Sequence, residues 1–145
     1  MTLIYCASAI DLNGAPEVEW PSQVMRVLSL PRMVLYCPQS AFRLSTSHNR
    51  EAAQAVMHVN HEVLSASDLL LVYWQPTVPS WGVPIELHQA YLLGMPIIVW
   101  CSAKSLPTLP VYLQGCVPEE HMVNTLLAVT QLVRKVLYLV EENNA

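Results

Sequence analysis

Residues Ser67 to Trp100 read SDLLLVYWQPTVPSWGVPIELHQAYLLGMPIIVW, and their punctuation is strand, loop, helix, strand. Leu69 to Tyr73 is an unbroken apolar run of strand length, the pattern of a strand covered on both faces. Gln75 to Gly82 interrupts it with two prolines, a serine and a glycine. Pro84 to Leu93 then reads as a helix, and Pro84 suits its first turn, where a missing N–H costs little. Gly94-Met95-Pro96 stops that helix, and Ile97 to Cys101 is the next strand. Two strands joined through a helix form a parallel pair with a right-handed crossover. One carboxylate, Glu86, falls on an early turn of the helix. That turn lies beyond the carboxyl end of the strand, where open α/β sheets hold their ligands.

The same alternation extends outward. Leu3 to Ala7 is the first strand, and Ser8 to Pro21 is a long loop containing Gly14 and Pro16. Ser22 to Leu30 reads as a helix closed by Pro31. Met33 to Cys37 is the second strand, followed by a polar loop, Gln39 to Asn49, placed over the site. Glu51 to Ser65 repeats apolar residues at near-helical spacing through Ala52, Val56, Val59, Val63 and Leu64. Beyond the fourth strand, Val111 to Val117 offers a short fifth strand. Pro118-Glu119-Glu120 opens a final helix that runs to about Val140, its acidic start complementing the helix dipole. These readings predict a single α/β domain over residues 1–145, a parallel five-stranded flavodoxin- or Rossmann-like sheet flanked by helices.

Composition narrows the partners. Charged residues are 12% of the 145-residue chain, against about 25% in ordinary soluble domains. A surface so poor in charge is expected to be completed by a second copy, as a homodimer or higher homo-oligomer. The net charge is −4 and the five arginines are scattered, so no basic stripe exists for polymeric nucleic acid. The amino-terminal MTLIYCAS lacks a basic region and runs directly into a strand, unlike a signal peptide. Leu126 to Val140 is broken by Arg134-Lys135 and is too short and too charged for a membrane span. A cytoplasmic protein is expected. The four cysteines show no C-x-x-C pairing and read as buried free thiols rather than a zinc site.

Glu86 is the sharpest candidate for chemistry, a lone carboxylate flanked by aromatics above the sheet. Its alternative role is to favour the helix dipole. Trp81, Trp74 and Tyr73 could wall a flat apolar ligand or pack in the core. His58 and His61 share a helical face with Glu62 beside them, but H-x-x-H-E is not a zinc-protease order. His88 diverges from Glu86 around the helix. Asn143 and Asn144 read as a frayed tail.

Leu3 to Asn13 and Asn60 to Val99 together resemble the nucleoside 2-deoxyribosyltransferase family and its nucleotide N-glycosidase relatives. The shared features are Ile4-Tyr5-Cys6-Ala7-Ser8, Ser67-Asp68 before a strand, Ser80-Trp81-Gly82, then Glu86 with three residues between it and that glycine, and the closing Gly94-Met95-Pro96. The resemblance covers a third to a half of the chain. It implies cleavage or transfer at the N-glycosidic bond of a 2′-deoxyribonucleoside or its 5′-monophosphate, with no metal and no organic cofactor. It implies that Glu86 is the nucleophile and that Tyr5 positions it. The family's helical Asp aligns with Asn60, an amide that can donate a hydrogen bond but cannot act as a carboxylic acid. Asp68 reads as structural, capping the adjacent turn. Ser8, Asp11, Ser80, Trp81 and Gly82 are the substrate-binding positions. Ser80 is the residue type the nucleotide hydrolases carry there, whereas Asp11 stands where they carry a base and would repel phosphate, so nucleoside and nucleotide both remain open. Two further readings stand beside this one: a non-catalytic nucleotide-binding or assembly protein on the same fold, which Asn60 favours, and a glycosidase of a ribonucleotide or dinucleotide.

Overall fold

A computed structural model of the chain describes residues 1–9, 20–28, 32–38, 50–75, 80–101 and 109–144, with side chains as far as residue 138. Its strands are β1 (Thr2–Ser8), β2 (Met33–Tyr36), β3 (Leu69–Trp74), β4 (Ile97–Cys101) and β5 (Met122–Val123). Its helices are α1 (Trp20–Leu28), α2 (Arg50–Ser65), α3 (Gly82–Leu92), α4 (Val111–Gln114) and α5 (Leu126–Asn144), with a 3₁₀ turn at Glu119–His121. All strands join one parallel sheet in the order β2-β1-β3-β4-β5. The expected five-stranded α/β fold is borne out. The order reverses between β1 and β3, and that reversal is the switch point at which such sheets open a crevice.

Side-chain alternation along the central strands builds a core on each face. Ile4, Leu69, Leu71, Ile98 and Trp100 pack with Trp20, Val24 and Leu28 of α1 and Val129, Val133 and Leu137 of α5. Tyr5, Ala7, Leu70, Val72, Ile97 and Val99 pack with Leu64 of α2, Val83, Leu87 and Ala90 of α3, and Leu113 of α4. Both faces are covered, which explains why β3 and β4 read as continuous apolar runs. Local bonds fix the registers. Asp68 accepts the Leu3 N–H at 2.8 Å and donates its own N–H to the Leu3 carbonyl at 2.8 Å, locking β1 to the start of β3. Gly94, at φ +66°, supplies the left-handed residue that ends α3, and the Pro96 carbonyl takes up the Leu70 N–H at 3.0 Å. Arg134 reaches from α5 to the Val27 and Leu28 carbonyls, capping the end of α1. All four cysteines are free, with Cys37 half-buried and the others buried.

The carboxyl-terminal third differs from the expectation. Val111 to Val117 is not a strand: after Pro110 its first four residues turn into α4. The fifth strand is the two-residue Met122–Val123, inside the stretch read as the start of the last helix. That helix begins later, at Leu126, because Thr125 caps it, its Oγ1 accepting the Ala128 N–H at 3.1 Å. It also continues through Asn144 rather than fraying at Val140. Thr125→Ala removes the cap acceptor and is expected to cost about 1 kcal/mol. A fall in the urea midpoint with an unchanged slope is the expected readout; an unchanged midpoint would deny the cap a role.

No helix among the described residues is long and apolar enough to cross a membrane.

Candidate active site

Glu86 reaches the crevice through helical spacing. Val83, Leu87 and Ala90 are the residues by which α3 sits on the sheet. Glu86 is three residues after the first, four before the last and adjacent to the second, so it shares their inward face. Its carboxylate therefore sits at the margin of the core, partly buried. Tyr5, fully buried on β1, points to the same face and donates its O–H to Glu86 Oε1 at 2.6 Å. This is a short charge-assisted bond. Burial pushes the Glu86 carboxyl above the usual range, while the bond from Tyr5 pulls it back down. Burial and then the Glu86 charge hold the Tyr5 phenol well above the ordinary phenol range, so Tyr5 keeps its proton and serves as a fixed donor.

Tyr36 is a member of this group that the sequence reading missed. It ends β2 directly beside Tyr5 in the parallel register. The two rings lie 5.3 Å apart at a 42° tilt, and Tyr36 donates to Asn60 Oδ1 at 2.9 Å. Burial raises the Tyr36 phenol, followed by the charge on Glu86. A signal existed: both strand segments carry a Tyr-Cys dipeptide, Tyr5-Cys6 and Tyr36-Cys37, and the parallel register places Tyr5 opposite Tyr36. Asn60 occupies the inward face of α2, four residues before the buried Leu64. It joins the cluster through Tyr36. Its oxygen accepts the Tyr36 hydroxyl, so the amide N–H₂ is the part of the side chain left to donate.

The remaining candidates spread along the carboxyl edge of the sheet. Ser8 ends β1 opposite Tyr73. Ser80 accepts the Val83 N–H at 3.2 Å and so helps to start α3, leaving its hydroxyl proton to donate. Trp81 is 86% exposed, projecting into solvent rather than lining a closed wall. Gly82 opens α3, and a side chain there would meet nothing within 4 Å. Asp11 lies outside the described residues, as does the polar loop 39–49. Tyr73 is not a wall either: it stacks on Trp20 and meets Trp100 edge-on, within the core on the opposite face of the sheet. His61 bonds Gln89, tying α2 to α3. His88 stacks on Tyr91 and leans toward Tyr112, away from Glu86.

No family model and no curated protein matches the chain. Solved structures do. A 2-deoxyribosyltransferase from the psychrotolerant bacterium Bacillus psychrosaccharolyticus superposes at a TM-score of 0.71 with 17% identity, over 89% of this chain and 90% of that one. A conserved protein from Enterococcus faecalis V583 gives 0.72 with 18% identity, over 93% and 98%. A 2-desoxiribosyltransferase from Leishmania mexicana gives 0.53 with 18% identity, over 71% and 66%. The chain thus has the fold of the 2-deoxyribosyltransferases, and the resemblance read from a third to a half of the sequence extends over most of it.

Proposed function

We propose that this protein is a one-domain enzyme that cleaves or transfers the N-glycosidic bond of a 2′-deoxyribonucleoside or its 5′-monophosphate, with Glu86 as nucleophile. The observation that carries this reading is the 2.6 Å bond from Tyr5 to Glu86 Oε1 at the switch point of the sheet. The phenol anchors one carboxylate oxygen and leaves Oε2 to approach an anomeric carbon. As the C1′–N bond lengthens, positive charge develops on the sugar. A carboxylate at bonding distance captures it as a glycosyl ester, which water or a second base resolves. Tyr5 and Asn60 act as positioning groups, and Ser8, Asp11, Ser80, Trp81 and Gly82 border the substrate. This chemistry calls on no metal or organic cofactor. Incubation with a panel of nucleosides and monophosphates, with and without a second free base, tests it by released or exchanged base. Thermal stabilisation by these ligands without any product would instead establish a non-catalytic nucleotide-binding protein.

The working form is a homo-oligomer. Only Leu64 of the sixteen-residue α2 is buried, while Met57 is 68% exposed on α2 and Leu92 is 70% exposed on the neighbouring α3. With Ile85, Val111 and Tyr112, also exposed, they spread apolar surface over three helices. Patches of that kind mark interaction sites, and twofold pairing is the commonest way to cover one. Sedimentation at micromolar concentration is expected to show at least twice the 16.2 kDa chain mass. Met57→Lys with Leu92→Lys is expected to release monomer; a wild-type monomer would refute the assembly.

A further inference from the structure

We propose that the preferred substrate, on the reading of Glu86 given above, carries its N-glycosidic bond on a positively charged heterocycle, an N-alkylated purine or a pyridinium, so that the base departs as a neutral molecule. The reasoning starts from what a leaving base requires. An uncharged nucleobase that takes the bonding electron pair leaves as an anion and needs a proton from a nearby acid. A cationic base takes the same pair, cancels its own charge, and needs none. General acid help of this kind is typically worth about 10²–10⁴-fold, so a site without an acid discriminates strongly between the two.

Among the described residues, the polar cluster around Glu86 holds no such acid. Asn60 presents an amide, whose N–H groups hydrogen-bond but do not transfer a proton near neutral pH. Its oxygen is already committed to Tyr36. The Tyr36 proton is held by that bond and the Tyr5 proton by Glu86. Both phenols are shifted upward, away from the neutral range in which an acid works well. Tyr5, Tyr36 and Asn60 therefore orient charge and hydrogen bonds without supplying a proton to a departing base.

A second observation points the same way. Glu86 is pushed toward its neutral form by burial and is relieved only by the Tyr5 hydroxyl. Among the described residues no Lys, Arg or His forms an ion pair with it. Burying a carboxylate is unfavourable, and a cationic ligand supplies a countercharge on binding. With a neutral nucleoside, the countercharge arises only as the bond breaks.

The step balances without a further reagent. Glu86 Oε2 forms a bond to C1′ while the C1′–N bond breaks, its electron pair going to the base nitrogen. The base leaves neutral, and the glycosyl ester is neutral too. Water then attacks C1′, Glu86 departs as carboxylate, and the water's proton passes to solvent.

The test compares 7-methyl-2′-deoxyguanosine and the 2′-deoxyriboside of nicotinamide with 2′-deoxyguanosine and 2′-deoxyinosine, each also as its 5′-monophosphate. Every kcat/KM is divided by the spontaneous rate of the same compound, because cationic nucleosides are intrinsically more labile. The corrected value is expected to be at least about 10²-fold higher for the cationic pair, as a cluster of Tyr5, Tyr36 and Asn60 that supplies no proton predicts. Asn60→Asp, which places a carboxyl there, is expected to raise the neutral pair relative to the cationic pair, narrowing the corrected gap between them about tenfold or more. A variant damaged only in structure would lower both pairs together. Corrected values within tenfold of one another in the wild-type protein, with base released from all, overturn the charge preference and leave the glycosidic reading standing. Release from none of the compounds overturns both.

Discussion

Glu86→Gln is expected to abolish turnover of any substrate the wild-type protein cleaves, by about 10³-fold or more in kcat. It is also expected to make the protein more stable. The amide keeps the shape of the carboxylate and an oxygen to accept the Tyr5 hydroxyl, so the 2.6 Å contact survives. What it loses is the anionic oxygen that captures the anomeric carbon in the proposed mechanism. The stability gain follows from linkage. Burial raises the Glu86 carboxyl in the folded state, so the native protein binds this proton more tightly than the unfolded chain does. Stability from this group is complete below the ordinary carboxylate range and declines as pH rises through the raised folded value. At pH 7 the wild-type protein carries that loss and the glutamine variant does not. A thermal melt at pH 7 should therefore place the variant higher, and the gap should close on acidification below the ordinary glutamate range. An inactive variant that melts lower at pH 7 would mean that Glu86 supports the fold, and activity within tenfold of wild type would remove it as nucleophile. Gains in stability on disarming a site are a general cost of function.

The sequence discloses those parts of the fold whose pattern is local. The apolar runs at Leu69 and Ile97 are flanked by proline or glycine, and they became β3, one residue longer than read, and β4, with the bounds read. The place of Glu86 was legible because it follows a strand-ending loop on an early helical turn; the structure adds that its spacing from Val83, Leu87 and Ala90 puts it on the buried face of α3. Tyr36 was not, because its place beside Tyr5 is set by the pairing of β1 with β2, a contact between residues 31 apart in sequence. The same holds for β5, whose two residues are too few to show a period and are strand only by pairing with Val99 and Trp100. Apolar periodicity in α2 misled in another way. Ala52, Val56, Val59 and Val63 read as a core face, yet Ala52 and Val59 are exposed and Val56 and Val63 only half-buried. A periodic stripe reports that a face is to be covered; it does not report by what.

The cluster built on Tyr5 gives the second large effect. Tyr5→Phe deletes one hydroxyl from a fully buried ring and keeps the packing of that ring against Tyr36. Hydrogen bonds to charged groups contribute about 1.5–3 kcal/mol, so the rate at neutral pH is expected to fall about 10- to 100-fold. Magnitude alone would not separate positioning from loss of structure, but the pH profile does. In the wild-type protein the rate is expected to rise as Glu86 ionises, at a pH above the ordinary glutamate value because burial opposes the charge. The Tyr5 bond is the influence that lowers this value. Without it, burial acts unopposed, and the ascending limb of kcat/KM must move to higher pH. Part of the lost rate should then return at alkaline pH, where the carboxylate is ionised again. A uniform loss at every pH, with the limb unmoved, would show that Tyr5 acts on the fold and not on the charge of Glu86. A limb displaced upward with partial recovery would show that one phenol on β1 sets the ionisation of a carboxylate 81 residues away in sequence.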